Sequence, residues 1–258
     1  CMLVTDDSTP FITGMGYRKN CDYIYDEFSK FTIDNINQFD GMKIFVKTDL
    51  LFEFESHILQ KINKNFILYT HNSDLCIDSK YNSIIDNKFL LRWFGQNINT
   101  YHDKLESIPI GIANKRWPHG NVDIIKKIIS ENNKKENLIY CNLDINTNII
   151  ERSKCLSCVY PILNSNRVDF ETYLRNISKS FFVISPNGNG IDCHKTWESF
   201  YLKSIPIVTR SINMSFYENK FPFIVIDDWN QFKELNLTEE LYHKIINSYE
   251  NTNNGFIC

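Results

Sequence analysis

Residues 181–209 read FFVISPNGNGIDCHKTWESFYLKSIPIVT, and this stretch decides the fold. The apolar run at 181–184 reads as a buried strand. A loop broken by glycine and proline follows at 185–191, then a helix at 193–203 and a second strand at 205–208. Strand, tight loop, helix and strand in so few residues make a βαβ unit and predict a parallel sheet. In such sheets ligands lie beyond the carboxyl ends of the strands, where residues 185–192 fall.

The loop has a specific chemistry. Gly188 and Gly190 let the backbone turn sharply and expose N–H groups with no Cβ in the way. Those donors precede a helix N-terminus, whose orphan amides and partial positive charge favour a phosphate. His194 and Lys195 add charge and donors in the first turn. Glu198, about one turn later, is spaced to accept hydrogen bonds from the two hydroxyls of a ribose. Loop, cation and carboxylate together describe a nucleoside diphosphate whose ribose faces the helix. PNGNG is neither the dinucleotide fingerprint nor the P-loop signature, so by spacing alone a structural turn stands beside the nucleotide site.

Working outward, MKIFVKTD (42–49) reads as a strand, LLFEFESHILQKINK (50–64) as a helix and NFILYTHNSD (65–74) as a strand ending in polar residues. This second βαβ unit delivers His71, Asn72, Ser73 and Asp74 to the carboxyl edge of a sheet. KFLLRWFGQN (88–97) fits a helix or a strand. SIPIGIANKRWPHGN (107–121) is a rigid turn-rich loop that either presents Trp117 and His119 to a cleft or packs the one and caps with the other. Near the start, Tyr17 and Arg18 crowd aromatic rings and charge beside Gly14 and Gly16, a pattern that suits a sugar ring or a core rim.

A helix over 123–135 runs into ENNKKEN (131–137), the most polar segment, which reads as a linker between domains 1–133 and 134–258. Beyond it come a strand in 137–148, Arg152 as a phosphate clamp or a solvated surface group, a helix at 170–180, and a strand ending at Asp227, Asp228 and Trp229. The last helix, 238–248, is expected to pack back on the first domain.

Composition sets bounds. The chain has 258 residues, 43% hydrophobic and 23% charged, and a formal net charge of −3, which offers no basic field to nucleic acid or an anionic membrane. No apolar run approaches the roughly 18 residues of a membrane span. The start, CMLVTDDSTP, is not a signal peptide, and without a leading methionine it leaves room for a removed leader or anchor. The eight cysteines are dispersed. Cys155 and Cys158 form a lone CxxC with no second pair, so reduced, partly buried thiols are expected rather than zinc.

Several segments together carry a family likeness: THNSD (70–74), WFGQN (93–97), IPIGIANKRWPHGN (108–121), NTN (146–148) followed by Arg152, SPNGNGIDCHKTWE (185–198) and SIPIV (204–208). They resemble exostosin-like glycosyltransferases, including short versions from large DNA viruses, over most of residues 66–229. The resemblance implies an α/β fold of GT-B type, two Rossmann-like domains with parallel sheets facing a central cleft, the donor held by the C-terminal one. It implies transfer from a UDP-sugar (xylose being one option) or a GDP-sugar to a glycan hydroxyl, without a tightly bound metal or cofactor. By motif, Glu198 would hold the ribose. Ser185, Asn187, Gly188, Asn189 and Gly190 would line the diphosphate, and Arg152 and Lys195 would neutralise it. The family more often has arginine where Lys195 stands, and a lysine lacks the bidentate fork. Tyr17, Arg18 and Trp117 are the acceptor-side candidates. Asp74, then His71, then His119 are candidate bases, with inversion expected for Asp74. A non-catalytic carbohydrate- or nucleotide-binding module on the same fold is the alternative. A cytoplasmic location is favoured, with a Golgi lumen fitting if an anchor precedes this sequence.

Overall fold

The computed structural model describes residues 8–31, 36–163 and 167–252. Cys1, Cys258 and the first seven residues of CMLVTDDSTP lie outside the described residues. The chain divides into two compact units, Cys1–Ile110 and Gly111–Cys258, each with its own parallel sheet.

In the first unit the elements run α1 (Gly14–Lys19), β1 (Tyr23–Tyr25), β2 (Met42–Lys47), α2 (Leu51–His57), β3 (Phe66–His71), α3 (Asn82–Ile85), β4 (Leu90–Gly95) and β5 (Leu105–Ser107). All strand pairs are parallel, in chain order β1-β2-β3-β4-β5. Segment 88–97, open between helix and strand in the sequence, is β4. Its Trp93 is fully buried and donates to Thr70 Oγ1 at 2.8 Å. The helix expected over 50–64 is shorter. The α-helix ends at His57 with Ile58 as its C-cap, still donating to Phe54 O at 2.9 Å, and a 3-10 turn at Leu59–Lys61 follows; Ile58, Leu59 and Ile62 are all buried.

The second unit contains α4 (Val122–Glu131), β6 (Asn137–Tyr140), α5 (Ile149–Val159), α6 (Phe170–Ser178), β7 (Ser180–Ile184), α7 (His194–Tyr201), β8 (Ile205–Thr209), α8 (Ile212–Ser215), β9 (Ile224–Ile226) and α9 (Glu239–Thr252). Its sheet is parallel in the order β6-β7-β8-β9. Every residue of β7 and β8 is buried, as continuous apolar runs in a covered parallel sheet should be. Pro206 sits in a middle strand without breaking it. The Ile207 carbonyl faces β7, where it accepts from Ser185 N–H, so Pro206 faces the other side, one residue before β9 begins opposite Ile207.

One expectation needs correction. The polar segment 131–137 is not the boundary. Asn132 ends α4 in the left-handed conformation (φ 47°), and the chain is then tied to its own sheet. The Glu136 and Asn137 amides donate to Lys179 O, and Lys135 Nζ donates to Ser204 Oγ at 2.7 Å. Helix α4 also packs on α6, reinforced by Glu131–Arg175 and Lys127–Glu171 pairs at 2.8 and 2.7 Å. The last helix, α9, buries its apolar side on the core of its own unit. Tyr242 packs on Phe181 and donates to Lys203 O at 2.7 Å, beside Leu241, Ile245 and Ile246.

Cys155 and Cys158 face the core from α5 as free thiols. Among the described residues no helix is long and apolar enough to cross a membrane, and no group of His, Cys, Asp or Glu is arranged to hold a metal ion.

Candidate functional site

The carboxyl edge of the second sheet gathers most of the donor-side residues that the sequence singles out. β7 ends at Ile184, and its first loop residue is structural: Ser185 is buried, with Oγ 2.9 Å from Thr196 Oγ1. The loop then closes on itself, Gly188 N–H donating to Gly190 O at 3.1 Å. The Asn189 and Gly190 amides have no hydrogen-bond partner among the described residues. Neither Gly188 nor Gly190 takes a positive φ. What marks position 188 is instead space: a Cβ there would lie 3.2 Å from Arg152 Nη2, so that the guanidinium would have to give by a few tenths of an ångström, and 3.4 Å from Cys193 Sγ.

Arg152 is held against this loop by three bonds. Its Nε donates to Asn187 O at 3.0 Å, and its Nη1 to Asp144 O and Thr147 Oγ1, both at 2.7 Å. Its Nη2 has no partner among the described residues and stands next to Gly188. The guanidinium is thus fixed on one side and open on the other. Asn148 supports the same geometry, donating from Nδ2 to Gly188 O at 2.9 Å while its Oδ1 caps α5 through Glu151 N–H at 3.2 Å. Sequence reasoning passed over Asn148, although Asn148 and Glu151 form a visible capping pattern, N-x-x-E.

Helix α7 starts beyond the loop with no side-chain cap on its first amides. Lys195 turns inward, and its ammonium donates to Asn142 O. Burial holds its pKa below the ordinary lysine value, and the nearby Arg152 charge pushes the same way. Glu198 is 4% exposed; its Oε2 accepts from Tyr173 Oη at 2.8 Å, and Oε1 has no partner among the described residues. Burial pushes its carboxyl up to about 7, opposed by the Tyr173 bond and the Lys195 charge. Tyr173 is a partner the sequence did not announce, since it comes from α6. Asp192, also unpredicted, anchors the helix: it is buried and accepts from Trp197 Nε1 at 2.8 Å.

Beside the loop lies a cavity of about 430 Å³ lined by Asn187, Thr209, Arg210, Asp227 and Trp229. Its acids are engaged. Asp227 pairs with Arg210 at 2.6 Å, Asp228 accepts from Asn230 N–H at 2.6 Å, and Glu151 accepts from Trp229 Nε1 at 2.8 Å.

On the other side of α7, His194 Nδ1 is 2.8 Å from Gly111 O, and its ring lies 6.2 Å from that of His119. His119 stacks with Trp117 at 6.3 Å, and desolvation keeps its pKa below the ordinary histidine value. Trp117 is half exposed, with Arg116 over its ring at 5.5 Å.

In the first unit, α1 brings Tyr17 within 5.4 Å of the His71 ring. Gly14 is required there, because any Cβ would collide with Asn72 and His71. His71 is buried; its Nδ1 accepts the Asn72 amide at 2.7 Å, and its Nε2 faces Pro109 O at 3.1 Å. The ring therefore carries its proton on Nε2, and its lone pair is already used. Arg18 closes its own loop, with Nε 2.5 Å from buried Asp26 and Nη2 3.2 Å from Ser29 Oγ. Asp74 is exposed at the end of the loop after β3.

No protein-family model matches this chain, and no curated protein matches it significantly.

Proposed function

We propose that this chain is a GT-B-type, metal-independent glycosyltransferase that moves a sugar from a nucleoside-diphosphate donor, a UDP-sugar first and a GDP-sugar second, to a hydroxyl of a glycan acceptor. The observation that carries the reading is the half-fixed Arg152 guanidinium beside the glycine loop. It comes with free loop amides, an uncapped helix N-terminus and a carboxylate one turn into that helix. Diphosphate departure builds negative charge, and preset donors aimed at that charge lower the barrier without reorganising. Glu198, with Oε1 uncommitted, is the acceptor for a ribose diol. The cavity beside Asn187 has the size range of small-molecule sites and suits a sugar.

For the base, His119 has the best physical support of the three candidates. Burial disfavours the protonated form of its imidazole, which lies beside the first turn of α7. Asp74, the first candidate from the sequence, comes second. His71 is third, because its lone pair is engaged. In the reaction the acceptor hydroxyl gives its proton to the base as its oxygen bonds the anomeric carbon. The bond from that carbon to the diphosphate breaks in the same displacement, with inversion.

One observation favours the binding-module alternative: Lys195 and Glu198 both bond within their own unit, to Asn142 and Tyr173. Release of UDP or GDP from nucleotide sugars, followed across a panel of glycan acceptors, separates the two. The expected result is acceptor-dependent release, reduced about 100-fold in His119→Gln with nucleotide affinity kept. Nucleotide binding without release on any pair leaves the binding module. Absence of nucleotide binding overturns the transferase and leaves only a carbohydrate-binding module.

A further inference from the structure

The opposite, amino edge of the second sheet holds a separate cavity of about 260 Å³. Its walls come from residues just before three strands and from α4 and α9. Ile128, Ile129, Leu202 and the rings of Tyr201 and Tyr242 make it largely apolar, and Lys135, Lys203 and His243 bring basic groups to it. No acidic residue lines it among the described residues.

Two nearby acids are paired elsewhere, Glu131 with Arg175 at 2.8 Å and Glu136 with Lys179 at 3.1 Å, while Glu239 faces His243 of the cavity wall at 3.6 Å. Lys135 spends two of its three donors on Leu202 O at 3.2 Å and Ser204 Oγ at 2.7 Å. Those bonds fix its ammonium in the wall, 5.9 Å from the centre of the Tyr242 ring, and the third N–H has no hydrogen-bond partner among the described residues. Lys203 has no ion-pair partner among the described residues either, and its charge works against that of Lys135. A lysine that is partly desolvated, facing a like charge and lacking a carboxylate, is a costly arrangement that an anion would relieve.

We propose that this cavity binds a small organic anion, a carboxylate or phosphate monoester with a short apolar body, its charge held by the Lys135 and Lys203 ammoniums. The volume is below the roughly 300–1,000 Å³ of sites for drug-sized ligands, so the ligand is smaller than a nucleotide sugar. The site is independent of the glycine loop at the other edge.

The test is a titration of the full chain, followed by amide NMR shifts at residues 128–135 and 201–204. The probes are benzoate, phenyl phosphate, benzyl alcohol and inorganic phosphate. Saturable shifts with benzoate or phenyl phosphate are expected, weaker by about tenfold or more in Lys135→Met, the share of a charged hydrogen bond. Lys203→Met, which removes an exposed charge, should weaken binding in the same direction and serves if Lys135→Met does not fold. Equal binding of benzyl alcohol, equal binding of inorganic phosphate, unchanged affinity in the lysine variants, or no saturable shift with either organic anion would each overturn the proposal.

Discussion

Glu198 shows how one side chain links burial to pH. Its carboxyl is raised to about 7 from an ordinary value near 4.5, mainly by desolvation. A carboxyl whose folded pKa is raised contributes stability that is fully present below the unfolded value and is lost as pH rises through the folded one. Relative to the non-titrating Glu198→Gln, the wild type should therefore lose stability between pH 4.5 and pH 8, by no more than about 3 kcal/mol. Urea denaturation of both proteins at pH 5 and pH 8 checks the sign. A difference that stays flat with pH would mean that Glu198 is better solvated than its surroundings imply. Residue chemistry of this kind was half legible. The spacing of Lys195 and Glu198 from the glycines was visible, but their partners, Asn142 and Tyr173, come from distant elements and leave no local signal.

At the scale of elements, the loop and the start of α7 form one device with α5. Gly188 lets the Arg152 guanidinium approach, and Asn148 and Asn187 hold the two segments together. Gly188→Ala keeps an allowed backbone, so its stability cost should stay within about 1 kcal/mol. Its Cβ nevertheless pushes on a guanidinium fixed by three bonds, and UDP affinity should fall about tenfold, the share of one charge-assisted contact. Calorimetric titration of the variant tests this, and unchanged affinity would detach Arg152 from the diphosphate. The strand–loop–helix–strand pattern was readable because continuous apolar runs and a Gly-Pro loop are strong signals. The reason for the glycine was not. A sharp turn and a close approach demand the same residue, and only the backbone φ separates them. Helix 50–64 was over-read for a related cause, since apolar spacing does not reveal that the α-helix ends at His57 and gives way to a 3-10 turn.

At the scale of the whole molecule, two α/β units with parallel sheets were expected and found, whereas the boundary was not. Polar composition pointed to 131–137, yet that segment is pinned to Lys179 and Ser204 while α4 covers α6. A fragment of residues 111–258 should accordingly unfold cooperatively, and one of residues 134–258 should be less stable by several kcal/mol. The shorter fragment lacks the buried Val122, Ile125 and Ile128, each worth about 1.5–3 kcal/mol. Denaturant melts of the two fragments decide the matter, and equal stability would restore the polar segment as the boundary. The central claim, a nucleoside diphosphate bound through its ribose at Glu198, is tested most directly by calorimetric titration of UDP, GDP and 2′-deoxy-UDP into the wild type and Glu198→Gln. The account predicts that UDP or GDP binds and that 2′-deoxy-UDP binds about tenfold more weakly than UDP. That preference should disappear in the variant. Absence of binding by either ribonucleotide at millimolar concentration, or a preference for UDP that survives Glu198→Gln, would contradict it.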